Sequence, residues 1–232
     1  MTKSFAAYDR RGYRTLGVVE GYAAWAASYD ETTDDRLDIA LLSSLSSVDW
    51  KGFARAADLA CGTGRIGYWL RAHGVAHVDG VDISPAMLDR AALKSVYDSL
   101  LCAGVALTGL DEGAYDLVVS SLAACHLDDL TGLYTEVVRL LRPGGRFVLV
   151  DYHPFMLLNG VPTHFIPPVG EPTAITNTVH LFSDHVRVAR RVDLALVEMR
   201  EQVVGPDWVA DNPRMARHAD LPISFVTVWA RG

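Results

Sequence analysis

The stretch Asp58-Leu59-Ala60-Cys61-Gly62-Thr63-Gly64 decides the fold. A short buried-strand pattern, 55–60, runs into it, and a helical pattern, 65–72, runs out of it. Glycine at such a strand-to-helix turn tolerates unusual dihedrals and lets backbone approach a ligand closely. The free N–H groups at the start of the next helix, with its dipole, favour an anionic group. Asp82 lies twenty residues after Gly62, at the end of the next expected strand. An acid there can take both hydroxyls of a ribose. The turn reads as a site for a nucleoside with a negatively charged tail.

Outward from the turn, strand patterns at 76–81, 116–121 and 147–151 alternate with helical patterns at 84–97 and 130–141. Ser84 and Pro85 supply the cap and first position of one helix, and Arg142-Pro143-Gly144-Gly145 reads as a turn. Strands alternating with helices mean βαβ units and a parallel sheet. Residues 98–114 are ambiguous, with a short strand expected near Val105. Upstream, residues 1–15 mix basic and aromatic side chains and read as a loose or docking arm. Tyr22, Trp25 and Tyr29 recur at helical spacing over 16–29, and Asp34-Asp35 open a second helix. Downstream, residues 153–180 hold five of the ten prolines and read as an excursion without regular structure. A helix at 183–192 capped by Ser183, one or two strands at 194–204, a polar loop at 205–220 and a last strand at 223–230 follow. Two long loops in the last third suggest a substrate lid.

The length of 232 residues suggests one domain. We divide it into a helical cap (1–50), a cofactor-binding core (51–152) and a substrate side (153–232). Half the residues are apolar, which excludes disorder as the main character. The net charge of −7 argues against nucleic acid as a partner. The three cysteines form neither a disulfide framework nor a CxxC metal motif, so no metal is expected and a reducing cytoplasm fits. The start has no apolar leader, and no run is long enough for a membrane span.

Gly62, Gly64 and Gly67 match GxGxxG, so a nicotinamide dinucleotide has to be weighed. The wider context points elsewhere. The glycine-rich stretch is followed in order by Gly80-Val81-Asp82-Ile83-Ser84-Pro85-Ala86-Met87-Leu88, Tyr115-Asp116-Leu117-Val118-Val119-Ser120 and Leu140-Leu141-Arg142-Pro143-Gly144-Gly145-Arg146-Phe147. Together these closely resemble the class I S-adenosylmethionine-dependent methyltransferases over about residues 20–150. The resemblance implies a Rossmann-like, doubly wound α/β fold with two leading helices. Its seven-stranded, mostly parallel sheet would have the last strand antiparallel, inserted between strands five and six. It implies S-adenosylmethionine as cofactor and S-adenosylhomocysteine as product. By the resemblance Ala60, Gly62 and Gly64 would lie against the methionine part, and Asp58 would hold the turn or meet the amino group through water. Asp82 would bind the ribose, and Ile83 and Met87 would flank the adenine. Tyr22 or Tyr29 would cover the amino-acid end, with Ser121 and Leu122 beside the methyl-bearing sulfur. Relatives often place an acid after the third strand, near the adenine amino group. Here Ala103-Gly104-Val105 fills that place, unless the alignment slips to Asp98 or Asp111.

A hydroxyl or amine acceptor must lose a proton on methylation, and a nearby base helps. His126 follows the fourth expected strand and His153 the fifth, at the sheet edge where open α/β folds bind ligands, so both are catalytic candidates. Tyr152 and His164 are candidate substrate contacts. The expected activity is methyl transfer to an oxygen or nitrogen of a small molecule. The rivals are a protein side-chain methyltransferase, a non-catalytic module that binds the cofactor, and a nicotinamide-dependent oxidoreductase.

Overall fold

The computed structural model describes residues 3–232. Ahead of the glycine-rich turn lie β1 (Arg14–Leu16), α1 (Val18–Trp25), α2 (Tyr29–Thr32) and α3 (Ile39–Ser44). Alternation then sets in with β2 (Arg55–Leu59), α4 (Arg65–Ala72), β3 (His77–Asp82), α5 (Pro85–Lys94) and β4 (Ser99–Cys102). It continues with β5 (Tyr115–Ser121), α6 (Thr131–Leu140) and β6 (Leu141–Tyr152). The last third holds α7 (Pro154–Leu158), β7 (His164–Phe165), β8 (Thr173–Ile175), α8 (Phe182–Arg191), β9 (Leu194–Val203), α9 (Pro206–Asp211) and β10 (Pro222–Arg231).

Seven strands form one sheet in the order β4-β3-β2-β5-β6-β10-β9. β2 to β6 pair in parallel, and β10 enters antiparallel between β6 and β9. This is the α/β architecture expected from the motifs. Strands buried on both faces need apolar residues on both, and residues 115–120 of β5 are buried without interruption. On one face α6 lays Leu133, Tyr134, Val137 and Leu140 against Phe147 and Trp229. On the other, α4 lays Ile66, Trp69 and Leu70 against Val78, Val148 and Val226, with Leu41 and Leu42 of α3 beside them.

Several expectations need correction. The helix foreseen at 16–29 stops at Trp25, whose indole N–H donates to Thr32 Oγ1 at 2.8 Å and folds the chain back into α2. Asp34 caps only a 3-10 turn, Asp35–Leu37, and Asp38 caps α3. The third parallel neighbour is β4, ahead of Val105, because Asp98 is bonded through both backbone and carboxylate to Val78. Residues 142–145, expected as a turn ahead of the strand, lie within β6 and bulge opposite Asp116, whose carboxylate holds Arg142 at 2.6 Å. α8 is capped at Leu181 instead of Ser183, since the Asp184 carboxylate accepts the Leu181 N–H at 2.9 Å. The excursion 153–180 has regular structure after all. β7 and β8 join β1 in a second sheet of order β1-β8-β7, with Arg14, Thr15 and Leu16 in register with Thr173, Ala174 and Ile175. The arm at the N-terminus is thereby docked from Lys3 onward, with Phe5 buried against Cys125, Leu157 and Val179. The loop at 205–220 contains α9 and a 3-10 helix, Pro213–His218.

Candidate active site

The turn after β2 places its residues with positive φ, 58° at Ala60 and 54° at Gly62. Gly62 N–H donates to Asp82 Oδ2 at 2.8 Å, and Ser84 N–H donates to Oδ1 at the same distance. The Asp82 carboxylate is thus held rigidly at the carboxyl end of β3. Burial raises its pKa despite these donors. It forms part of the wall of a cavity of about 200 Å3 with Ala60, Gly62, Ile83, Met87, Ser121 and Leu122. Tyr22 and Tyr29 close it from the leading segment, and Gly104 and Val105 complete it without a carboxylate. Asp98 and Asp111 lie outside this wall.

A nucleoside suits this cavity on three grounds. Ile83 leaves 50% of its surface open although it is a large apolar side chain, which a planar base would cover. Ser84 Oγ is buried without a hydrogen-bond partner. Asp82 has acceptor capacity left for hydroxyl donors beyond the two amides. A small annex of about 30 Å3 continues under Tyr29 to Thr63, Arg65 and Asp38. There Arg65 pairs with Asp38 at 2.9 Å and with Asp35 at 2.6 Å. Asp30 reaches Thr63 and, at 2.5 Å, Lys94, so the leading segment is latched onto the glycine-rich turn by charge.

Two motif residues face away from the cavity. A Cβ on Gly64 would stand 3.0 Å from the Tyr97 ring and 3.3 Å from Ala91, and one on Gly67 would collide with Tyr97 at 2.3 Å. Gly80 approaches the same ring. Gly64, expected against the methionine part, thus forms with Gly67 and Gly80 a slot for Tyr97, and only Gly62 of the GxGxxG set lines the cavity. Asp58 lies beneath the turn, where its carboxylate accepts the Tyr97 hydroxyl at 2.7 Å. Burial pushes the Asp58 carboxyl up to about 7. Asp58 thus anchors the Tyr97 ring and lines neither the cavity nor its annex. Tyr97 itself carries no motif signal and was missed.

His126 also lines the cavity. Its Nδ1 lies 2.7 Å from the Thr176 carbonyl, which can only accept, so Nδ1 carries the proton. Nε2 then accepts the Tyr22 hydroxyl proton at 2.8 Å. Burial lowers the ring to about 4 and raises Tyr22 well above its ordinary value, so both groups are neutral near neutrality. His126 thus orients Tyr22 and has no free nitrogen to act as a base on a ligand.

A second cavity, of about 240 Å3, shares the wall residues Tyr22, Tyr29 and Leu122 with the first. Leu122 at this junction adopts φ 54°, a left-handed conformation unusual for a branched side chain. Trp25, Tyr152 and Trp208 give the second cavity an aromatic wall, and His164, Arg217 and His218 a polar one. Tyr152 and His164 both line it. His153 does not: it lines neither cavity. Its Nδ1 accepts the Phe155 N–H at 3.1 Å as the cap of α7, and its Nε2 faces Glu201 at 2.9 Å. A histidine at the end of a strand caps the next helix here instead of facing a ligand. Trp208, Arg217 and His218 were missed as site residues, although the polar loop that carries them was read as a lid.

A family model for the methyltransferase domain matches residues 57–149. A malonyl-[acyl-carrier protein] O-methyltransferase of Enterobacter lignolyticus is 37% identical over 40% of this chain and 37% of its own length. The 24-methylenesterol C-methyltransferase 3 of Arabidopsis thaliana is 33% identical over 41% of this chain and 28% of its own. The chain thus spans well under half the length of these curated relatives. The solved structure of an S-adenosylmethionine-dependent methyltransferase from Mesorhizobium loti shares the fold, with a TM-score of 0.69 at 24% identity over 84% of this chain and 98% of that one. With the ordered motifs, the sheet order and the Asp82 cavity, these matches identify residues 57–149 as a methyltransferase domain similar to those of the class I S-adenosylmethionine-dependent methyltransferases.

Proposed function

We propose that the protein transfers a methyl group to an oxygen or nitrogen atom of a small molecule. The carrying observation is the shared wall at Tyr22, Tyr29 and Leu122, where the second cavity adjoins the cofactor cavity. When bound, S-adenosylmethionine supplies an electrophilic methyl group and leaves as S-adenosylhomocysteine. Asp82 would hold the ribose, Ile83 and Met87 the base, and the Arg65–Asp38 pair beneath Tyr29 the charged amino-acid end. With the methyl donor already activated, positioning and exclusion of water supply much of the rate. The second cavity would place the acceptor against Tyr22. The Tyr22 oxygen, its own proton committed to His126, keeps lone pairs for an acceptor O–H or N–H. The dyad orients the acceptor lone pair, and the proton is lost to solvent.

The concave aromatic wall favours a compact acceptor over a protein side chain. The test is incubation with S-adenosylmethionine and a mixed library of small phenols, amines and acids, read by mass spectrometry. A library member gaining one methylene mass with matching S-adenosylhomocysteine supports the reading. Methylation confined to a protein acceptor, or none at all, would overturn it.

A further inference from the structure

The second cavity is asymmetric in charge. Arg217 is its one permanently cationic lining residue and Asp34 its one carboxylate. Asp34 is already engaged: it accepts the Trp208 indole N–H at 2.8 Å and the Arg36 N–H at 3.0 Å, with the Arg36 guanidinium 4.0 Å away. Arg217 is different. Its Nε–H donates to His218 Nε2 at 3.0 Å, and among the described residues no carboxylate comes within ion-pair distance of it. The remaining guanidinium donors have no anionic partner among the described residues.

The groups around Arg217 add to the imbalance. His218 accepts from Arg217 through Nε2, so that ring is neutral and its Nδ1 carries a proton. His164 has Nδ1 on the Pro162 carbonyl at 2.8 Å. Burial depresses the basicity of both rings, and the charges of the exposed Arg217 and, from outside the cavity wall, of Arg11 depress it further. An unpaired guanidinium is a strong, geometrically selective receptor for an oxyanion. The rest of the wall is aromatic, with Trp25, Tyr152 and Trp208.

We infer that the acceptor is a small, largely apolar molecule carrying an oxyanion, a carboxylate or a phosphate, which Arg217 reads at an end of the cavity that the cofactor cavity does not share. His218 assists, and Arg11 adds positive potential from outside the wall. This rests on the methyltransferase reading and names its substrate class.

The test is calorimetric titration of the full chain, saturated with S-adenosylhomocysteine, using 4-hydroxybenzoate, phenyl phosphate and 4-hydroxybenzamide as probes. At least one oxyanion probe is expected to bind about tenfold or more tightly than the neutral amide. Which of the two binds better identifies the oxyanion. In Arg217→Gln, alone or with Arg11→Gln, the preference should shrink to within about threefold, with affinities for the amide and for S-adenosylhomocysteine kept. Equal binding of the three probes, no binding of either oxyanion, or a preference that survives the double variant would overturn the inference. Failure of the unmodified protein to take up S-adenosylhomocysteine would instead bring down the reading on which it rests.

Discussion

Single residues carry two kinds of constraint here, strain and hydrogen-bond direction. Ala60 sits at φ 58° in the cofactor turn, a conformation that glycine adopts freely and alanine does not. Ala60→Gly should therefore stabilise the protein by up to about 1 kcal/mol, read from the urea midpoint at unchanged slope. An unchanged or lower midpoint would show that the turn is unstrained. Tyr22 is constrained by direction: its proton goes to His126 Nε2, and the residue lines both cavities. Tyr22→Phe should lower kcat/KM about tenfold and leave S-adenosylhomocysteine affinity within about twofold. Because His126 is depressed to about 4, the pH–rate profile of the unmodified protein should show no inflection near 6.5 from that ring. These residues were legible because each sits in or beside a contiguous motif. Asp82, Ile83, Met87 and Leu122 could be placed by counting along the chain. His153 could not, because position at a strand end does not say whether a side chain faces a ligand or caps the next helix.

At the scale of elements, the third glycine of the GxGxxG match serves packing. Gly67 on α4, Gly64 at its start and Gly80 on β3 make room for the Tyr97 ring, whose hydroxyl then reaches Asp58. Gly67→Ala should cost about 1–3 kcal/mol of stability through overpacking, seen as a lower urea midpoint. A neutral result would mean that Tyr97 can move aside. The slot was invisible in the sequence because three separate segments make it. The same holds for the second sheet. β1 and β8 lie far apart in the chain, and their parallel register is written in neither segment alone. The alternating core was legible because each of its βαβ units is local, and apolar periodicity marks it. β4 was misplaced because its anchor, the Asp98 to Val78 bonding, is a contact between segments.

Across the whole molecule, buried ionisable groups pull stability in opposite directions with pH. His126 and His185 are depressed by burial to about 4 and about 3, so the unfolded chain binds protons that the fold refuses. Their contribution is present above about pH 6.5 and lost as pH falls through the folded values. Asp58 and Asp151 are raised by burial to about 7, so theirs is present below about pH 4 and lost as pH rises towards 7. The two pairs oppose each other between about pH 4 and 6.5. Below about pH 4 the aspartates have no more to add, while His185 still takes up its proton. There Glu136 and Glu198, held down to about 2 by hydrogen bonds from Arg139 and Thr108 and from Ser47 and Arg200, must also be protonated. Calorimetric scans should give a Tm nearly level from about pH 5 to 6.5 and falling steeply below about pH 4. A steady decline across the upper window would show that the aspartates do not offset the histidines. The Asp82 cavity is predicted to take S-adenosylmethionine. The most direct test is calorimetric titration of the unmodified protein and of Asp82→Ala, checked as folded, with S-adenosylhomocysteine and with NADH. Micromolar binding of S-adenosylhomocysteine, weakened at least about tenfold in Asp82→Ala and absent for NADH, is the predicted result. NADH binding without S-adenosylhomocysteine binding would contradict it.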